Sequence, residues 1–143
     1  MNSGLINARA ETIAEKPSFR TAFQKRRCLV IADGFYEWKR EEKRKVPLHF
    51  SLKSGRPFGF AGLYEQWRSV DGSAVDTCTI VTTSANALIA PIHDRMPVIL
   101  TKTAGMDWID PRNADPRRLY PRLAPYPPEE MEMREVDLSS LRP

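Results

Sequence analysis

The chain has 143 residues, about the length of one compact domain. Hydrophobic residues make up 41% of it and charged residues 28%, a balance that is typical of globular proteins and excludes a disordered or fibrous chain. No run approaches the roughly 18 apolar residues of a membrane helix, and the first ten residues lack the blocks of a signal peptide. We therefore expect one domain over residues 1–143, in the cytoplasm and without a membrane partner.

The charged residues give little information about a partner. With 22 basic and 18 acidic residues the net charge is +4, which is weak evidence for nucleic acid. Two basic clusters consist of Arg20, Lys25, Arg26 and Arg27, and of Arg112, Arg117, Arg118 and Arg122. A nucleic-acid-binding face and an ordinary solvated surface are both compatible with these clusters.

The two cysteines limit the metal and redox chemistry. Cys28 and Cys78 lie in strand-like runs, and neither has a CxxC or Cys/His partner at the spacing of a metal site. The sequence therefore predicts two buried free thiols, no metal and no cofactor.

The first predicted elements are a helix and a series of strands. Ser18 is a candidate N-cap for a helix over residues 19–26. Two β-prone runs then meet at residues 33–34, an Asp-Gly pair that suits a turn or a bulge within a strand. The mixed-charge run 39–45 is predicted as a hairpin loop, and the apolar runs around residues 53–56 predict a β-hairpin.

The second half of the chain predicts shorter elements. A strand is expected over residues 77–83, one helical turn ends at Pro91, and residues 96–100 form a short buried strand. Thr101 is a candidate cap for a helix that runs through Trp108.

The C-terminal residues 109–143 are rich in proline. They are therefore expected to lack regular structure, to wrap the surface and to end in a short strand over residues 131–136. The predicted fold class is α+β, a β-rich single domain of mostly antiparallel strands and hairpins with short helices. An exposed edge of its sheet would allow two copies to associate.

Three polar residues, Asn7, Glu37 and His93, lie in segments whose other residues look structural. In a strand Glu37 shares a face with Phe35, and an apolar environment would raise its pKa towards the range of a general acid or base. The alternative is a glutamate that faces water or pairs with an arginine. His93 follows Pro91 at a sharp turn and suits proton transfer, with a hydrogen-bonded structural histidine as the alternative.

Neighbouring residues add groups that could bind a ligand. Asn7 with Arg9 would offer an amide to a reacting group and a guanidinium to a phosphate. Arg95 follows Asp94, and a simple ion pair between the two is one interpretation. His49 is predicted to pack within the structure.

Five segments resemble the SOS response-associated peptidase (SRAP) family in their order and approximate spacing. They are NARAET (7–12), RRCLVIADGFYEW (26–38), FAGLYEQW (60–67), TIVTTSAN (79–86) and IHDRMPVIL (92–100). The resemblance covers residues 5–108 closely and fades over residues 109–143. It implies an SRAP-like fold and a DNA damage response protein that binds abasic sites in single-stranded DNA and is nucleoid-associated when bound to DNA.

The resemblance also implies roles for individual residues. In the family the position of Asn7 lies beside the reactive centre, that of Glu37 serves as acid/base, and that of His93 takes part in proton transfer. Three further residues match positions that contact the DNA backbone or lie near the covalent adduct: Arg9, Thr82 and Arg95. Family members form a covalent link to DNA and have autopeptidase and abasic-site lyase activity.

The resemblance has one clear departure. Family members expose a cysteine once the initiator Met is removed, and its amine and thiol close a ring on the aldehyde of an abasic site. This chain has Asn2 instead, so we expect a truncated product or a degenerate paralogue that does not crosslink DNA stably. Two alternatives remain open: a non-covalent single-stranded DNA-binding scaffold, and a small hydrolase using Glu37 and His93, for which no GxSxG nucleophile motif is present.

Overall fold

The computed structural model describes residues 6–42 and 44–137. In chain order the elements are β1 (Asn7–Arg9), α1 (Pro17–Lys25), β2 (Arg27–Ala32), β3 (Phe35–Glu41), β4 (Arg44–Leu52), β5 (Phe58–Arg68), β6 (Ala74–Ser84), β7 (Arg95–Pro97), β8 (Ile99–Leu100), α2 (Lys102–Ile109), α3 (Pro116–Leu119) and β9 (Met131–Glu135). Two 3₁₀ turns, Tyr120–Leu123 and Pro128–Glu130, precede β9. The predicted fold class, a strand-rich α+β domain with short helices, is confirmed.

The strands form two sheets. The larger sheet has the order β1-β6-β5-β2, with β7 added to β6 and β8 added to β5, and the smaller sheet has the order β3-β4-β9. Only β1 runs parallel to its neighbour among the pairings in the described residues; the other pairs are antiparallel. Within the same residues, none of the helices is long and apolar enough to span a membrane.

Alternating side chains of the larger sheet supply two separate hydrophobic cores. Ala61, Leu63 and Val81 face one side, where they pack with Phe23 of α1 and Trp108 of α2. Because successive side chains of a strand point to opposite faces, the next residues along β5 and β6 face the other side. The helices therefore cover one face of the larger sheet and leave the other for the smaller sheet.

The second core fills the space between the two sheets. Phe58 and Phe60 of β5 pack against Leu48 and Phe50 of β4. Phe35 of β3 stacks on Phe50 with 5.3 Å between ring centroids. Each such buried side chain contributes about 1.5–3 kcal/mol through loss of contact with water, so this layer fixes β3 over the larger sheet.

The chain crosses between the two sheets at places where the sequence predicted local turns. The hairpin expected around residues 53–56 is wrong, because β4 pairs with β3 and β9 whereas β5 belongs to the larger sheet. The apolar sides of β4 and β5 meet face to face, an arrangement that apolar patterning does not distinguish from side-by-side pairing. Hairpins instead join β3 to β4 and, through residues 69–73, β5 to β6. The hairpin predicted at residues 39–45 is confirmed, but its loop is shorter than predicted, because residues 39–41 and 44–45 belong to the two strands.

The Asp-Gly pair at residues 33–34 is also a crossing between sheets. It carries the chain from β2 to β3, so neither a hairpin turn nor a bulge is needed to aim Glu37. A Cβ at Gly34 would collide with the ring of His49. His49 packs over this crossing, as predicted, and contacts Tyr36 at 5.0 Å between ring centroids.

The ends of the helices follow from local backbone chemistry. Helix α1 begins at Pro17, whose fixed φ suits the first helical position, and its N-cap is Lys16; the predicted Ser18 cap is wrong. Thr101 caps α2 by accepting a hydrogen bond from the Ala104 N–H, as predicted.

The proline-rich C-terminal stretch contains more regular structure than expected. Pro116 opens α3 and Pro128 opens a 3₁₀ turn, because a proline in the first turn of a helix removes an N–H that has no partner within the helix. The predicted last strand is confirmed as β9, which pairs with β4.

One residue of the first basic cluster serves the fold rather than a charged surface. Arg27 donates hydrogen bonds to the carbonyl oxygens of Trp108 (2.6 Å), Asp110 (2.8 Å) and Asn113 (2.7 Å). Burial lowers the pKa of Arg27. Its guanidinium therefore holds the end of α2 against β2 and is committed to main-chain acceptors.

The cysteines differ from the prediction in one respect. Cys28 is half-buried and Cys78 is exposed, so the expectation of two buried thiols is wrong for Cys78; both are free. The register places Cys28 opposite Gly62 of β5 and Cys78 opposite Tyr64. Burial raises the pKa of the Cys28 thiol.

Candidate functional site

An open cavity of about 550 Å³ lies where the smaller sheet meets β1, β6 and β7. All six residues singled out in the sequence line it: Asn7, Arg9, Glu37, Thr82, His93 and Arg95. Apolar side chains contribute to the rest of its lining, among them those of Phe35, Phe60, Ile80 and Met96. Residues separated by up to 88 positions, Asn7 and Arg95, thus converge on one surface of the protein.

Two of these residues lie at the cavity because their strand, β1, pairs with β6. Asn7 lies opposite Ile80 and Arg9 lies opposite Thr82 in a parallel register. Ala8 between them is buried in the first core. The alternation of the strand therefore turns both Asn7 and Arg9 towards the cavity.

Glu37 reaches the cavity from the smaller sheet. It lies two residues after Phe35 on β3, so the two side chains share a face, and its partner across β4 is Leu48. Burial raises the pKa of the Glu37 carboxyl, and the nearby His93 acts in the opposite direction by favouring the charged form. A carboxyl whose pKa is raised keeps its acid form at higher pH than an exposed glutamate, which favours a role as proton donor.

The turn that carries His93 is organised by Asn86. The Asn86 side-chain oxygen accepts hydrogen bonds from the Leu88 and Ile89 N–H groups at 3.1 and 3.2 Å. Its amide nitrogen donates to the Tyr126 carbonyl oxygen at 2.7 Å. The turn then closes when the His93 N–H donates to the Ile89 oxygen at 3.0 Å.

His93 has a hydrogen-bond partner for either state of its Nδ1 atom. Neutral Nδ1 accepts a hydrogen bond from the Arg95 N–H at 3.0 Å. Protonated Nδ1 can donate to the Arg95 carbonyl oxygen at 3.1 Å, and Asp94 Oδ1 lies 3.4 Å away. The imidazole can therefore gain or lose a proton without losing its orientation, which is what a proton-transfer group requires.

The two arginines of the cavity have different surroundings. Arg9 is exposed, whereas the Arg95 side chain is 15% exposed and pairs with Glu11, not with Asp94. Arg95 Nη1 donates to Glu11 Oε1 at 2.7 Å. Its Nη2 donates to Glu11 Oε2 at 2.9 Å and to the main-chain carbonyl oxygen of Thr82 at 2.7 Å.

Sequence reasoning missed two residues that shape this site, Glu11 and Asn86. Glu11 continues the alternate spacing of Asn7 and Arg9, and this period of two was a usable signal. Asn86 lies near the start of residues 84–94, the segment predicted to form one helical turn, and an asparagine is a favoured cap at such a start. In residues 6–42 and 44–137 no group of three His, Cys, Asp or Glu side chains could hold a metal ion.

The fold and the cavity define a class of protein: a strand-rich α+β domain with an open cavity, lined by a glutamate and a histidine among other polar residues, at the seam between two sheets. A family model described as SOS response associated peptidase (SRAP) matches residues 1–139. The chain belongs to the SRAP family.

Curated relatives agree with this assignment. The abasic site processing protein YoqW of Bacillus subtilis is 51% identical over 133 residues, which cover 92% of this chain and 59% of that protein. The abasic site processing protein YedK of Escherichia coli is 34% identical over 109 residues, covering 73% of this chain and 47% of that protein. The chain thus spans about three fifths or less of the length of these relatives.

Solved structures have the same fold. A crystal structure of a protein from Bacteroides thetaiotaomicron superposes with a TM-score of 0.88 at 35% identity, covering 94% of this chain and 60% of that one. A protein from Bordetella bronchiseptica gives a TM-score of 0.81 at 33% identity, covering 92% of this chain and 65% of that one.

Proposed function

We propose that this chain forms the abasic-site-binding part of an SRAP-type DNA-processing protein and that its partner is single-stranded DNA carrying an abasic site. The names of the curated relatives, abasic site processing proteins, support this partner. The observation that carries the proposal is the meeting of Glu37, His93 and Asn7 in one open cavity beside an exposed arginine.

The chemistry of an abasic site explains why these residue types suit it. The ring-opened sugar has an aldehyde, and an amine that adds to it gives a carbinolamine, whose hydroxyl must leave as water before an imine forms. A protonated Glu37 would donate the proton to that hydroxyl and would recover a proton in the reverse step. The raised pKa of Glu37 keeps its acid form available at higher pH than an exposed carboxyl.

The remaining residues of the cavity are suited to bind the substrate during this step. His93 supplies a second site for the proton, and the Asn7 amide can donate a hydrogen bond to the reacting oxygen. Arg9 is placed to meet a phosphate of the DNA backbone. Thr82 and Arg95 complete the same wall, with one N–H of Arg95 Nη1 left over after its contacts with Glu11 and Thr82.

Within the described residues the cavity contains no thiol, because Cys28 and Cys78 do not line it. A stable ring on the aldehyde needs an amine and a thiol on one residue. We therefore expect reversible binding, and at most a transient imine, from the 143-residue chain.

The test compares single strands that differ at one position. Fluorescence anisotropy should show tighter binding to a strand with a stable abasic analogue than to the same strand with an intact base, and weaker binding to the duplex. Equal affinity for both strands would instead identify a non-covalent single-stranded DNA-binding scaffold. If the chain binds none of these strands at low salt, the proposal is wrong.

A second measurement tests the chemistry. Incubation with a natural abasic site should give no heat-stable complex, whereas borohydride should trap an imine if an amine of the chain reaches the aldehyde. Glu37→Gln should reduce the rate of trapping by roughly 100-fold, the scale of general acid/base catalysis. An unchanged rate in Glu37→Gln would exclude Glu37 from the mechanism.

A further inference from the structure

The outer face of the smaller sheet carries two exposed aromatic side chains. Phe35 packs in the core between the sheets and Glu37 lines the cavity, so the alternation of β3 turns Tyr36 and Trp38 to the opposite face. Tyr36 and Trp38 are each 46% exposed. They lie roughly 6.6 Å apart along the strand, so each ring can contact a different group of a ligand.

The neighbouring strand β4 supports both rings from one side. His49 lies opposite Tyr36, with 5.0 Å between the ring centroids, and Pro47 lies opposite Trp38. Pro47 is buried. The two rings therefore rest on packed side chains while almost half of each residue stays exposed. A ring that is held in this way loses little conformational freedom when it binds a ligand.

The same face carries three cationic side chains. The register pairs Arg40 with Lys45, and Arg134 with His49, which places all three cations on the side of Tyr36. Arg40, Lys45 and Arg134 are exposed, and within residues 6–42 and 44–137 none of them forms an ion pair. Their charges are therefore available to an anionic partner.

The acidic residues of the smaller sheet do not neutralise these cations. Glu41 and Glu135 face the opposite side by the same alternation. Glu132 lies at the far corner of the outer face and accepts a hydrogen bond from the Ser51 hydroxyl at 3.1 Å. Glu42 lies in the turn beyond the strands. On the strands themselves, three cations therefore share the outer face with one carboxylate.

We propose that this outer face, formed by Tyr36, Trp38, Arg40, Lys45 and Arg134, binds the bases and phosphates of the DNA strand where it extends from the cavity. The inference rests on the proposed function and extends it beyond the cavity. Tyr36 joins the two surfaces, because it belongs to an edge strand and also lines the cavity. Aromatic rings that stack on bases, combined with cations along the backbone, hold single strands without regard to sequence.

Tryptophan fluorescence reports on this face without an abasic site. Of the three tryptophans, Trp108 is buried whereas Trp38 and Trp67 are exposed. Trp67→Phe therefore leaves Trp38 as the exposed reporter, and an undamaged thymidine oligonucleotide should quench its fluorescence and protect it from acrylamide. Trp38→Phe keeps a ring for stacking and leaves Trp67 as the exposed reporter, whose fluorescence the same oligonucleotide should not change.

Loss of the ring should weaken binding. Trp38→Leu keeps an apolar side chain but has no ring to stack on a base, and should raise the Kd for the oligonucleotide about tenfold. Trp67→Leu is the matched control, because it removes an exposed ring from β5 of the larger sheet and should leave the Kd unchanged. Trp38→Phe should retain most of the affinity.

Each outcome decides for or against the proposal. Equal quenching of both reporters would overturn it, as would a folded Trp38→Leu protein with an unchanged Kd. Protection of Trp38 from acrylamide without DNA, increasing with protein concentration, would show instead that a second copy covers the face. If Trp38→Leu does not fold, the two fluorescence reporters decide.

The test is independent of the comparison between abasic and intact strands. A chain that prefers the abasic analogue but shows no quenching of Trp38 would disprove this inference and leave the proposed function in place. Quenching of Trp38 without any preference for the analogue would disprove the proposed function alone.

Discussion

At the scale of single residues, the environment of Glu37 affects both the stability of the fold and the proton transfer proposed for this residue. Its neighbour on the same face of β3 is Phe35, and Leu48 lies across the strand pair. Burial disfavours the ionised carboxylate, which raises its pKa. Ionisation is therefore less favourable in the folded chain than in the unfolded chain, and the acid form that this favours is the form that general acid catalysis needs.

This environment predicts that Glu37→Gln stabilises the protein in a pH-dependent way. A raised pKa means that folding loses stability as the pH rises through the folded-state pKa, and glutamine cannot ionise. We expect a higher melting temperature for Glu37→Gln at pH 7–8 and no difference once the pH falls below the ordinary value of 4.5. Glu129→Gln, which changes an exposed glutamate, controls for general loss of charge. A lower melting temperature for Glu37→Gln at pH 8 would contradict this account.

At the scale of elements, the sequence predicted features that depend on neighbouring residues, but it did not predict how distant strands pair and pack. The Thr101 cap, the β3–β4 hairpin within residues 39–45 and strand β9 were confirmed because each depends on residues close in sequence. The hairpin around residues 53–56 was wrong, since only the packing of β4 over β5 reveals that the two strands belong to different sheets. Likewise, the contact of Arg95 with Glu11 spans 84 positions and has no local signature.

The His93 turn provides a prediction at this scale. Asn86→Ala removes the acceptor for two N–H groups and the donor to the Tyr126 oxygen, and should reduce the free energy of unfolding by about 1–3 kcal/mol. Asn86→Asp keeps the acceptor and loses the donor, so it separates the cap from the link to Tyr126. Urea unfolding measures the loss of stability. Asn86→Ala with unchanged stability would show that the turn forms without the cap.

At the scale of the whole molecule, the candidate site lies at the seam between the two sheets. The helices and the first core cover one face of the larger sheet, and the cavity opens on the other side, at the seam with the smaller sheet. Asn7, Arg9, Thr82 and Arg95 come from strands of the larger sheet, whereas Glu37 comes from the smaller one. The cavity therefore forms only when the two sheets pack together. For this reason the pattern along single strands could predict which residues belong to the cavity but not which of them contact each other.

The distribution of charge around that seam predicts how binding responds to salt. Arg9 is exposed, whereas most N–H groups of Arg95 are committed to Glu11 and Thr82. For single strands each phosphate contact contributes about 0.7 to the slope of log affinity against log salt. Arg9→Ala should therefore reduce the slope by about 0.7, and Arg95→Ala should reduce it less while lowering stability.

Arg68→Ala is the matched control for this comparison, because it also removes one positive charge. Arg68 is exposed and lies eight residues along β5 from the cavity residue Phe60, roughly 26 Å away in an extended strand. Anisotropy titrations over a series of salt concentrations should give it the slope of the unmodified chain. If Arg68→Ala reduces the slope as much as Arg9→Ala does, the DNA binds to the general positive charge of the surface and not to the cavity. If Arg95→Ala reduces the slope more than Arg9→Ala does, a phosphate displaces Glu11 from Arg95 on binding.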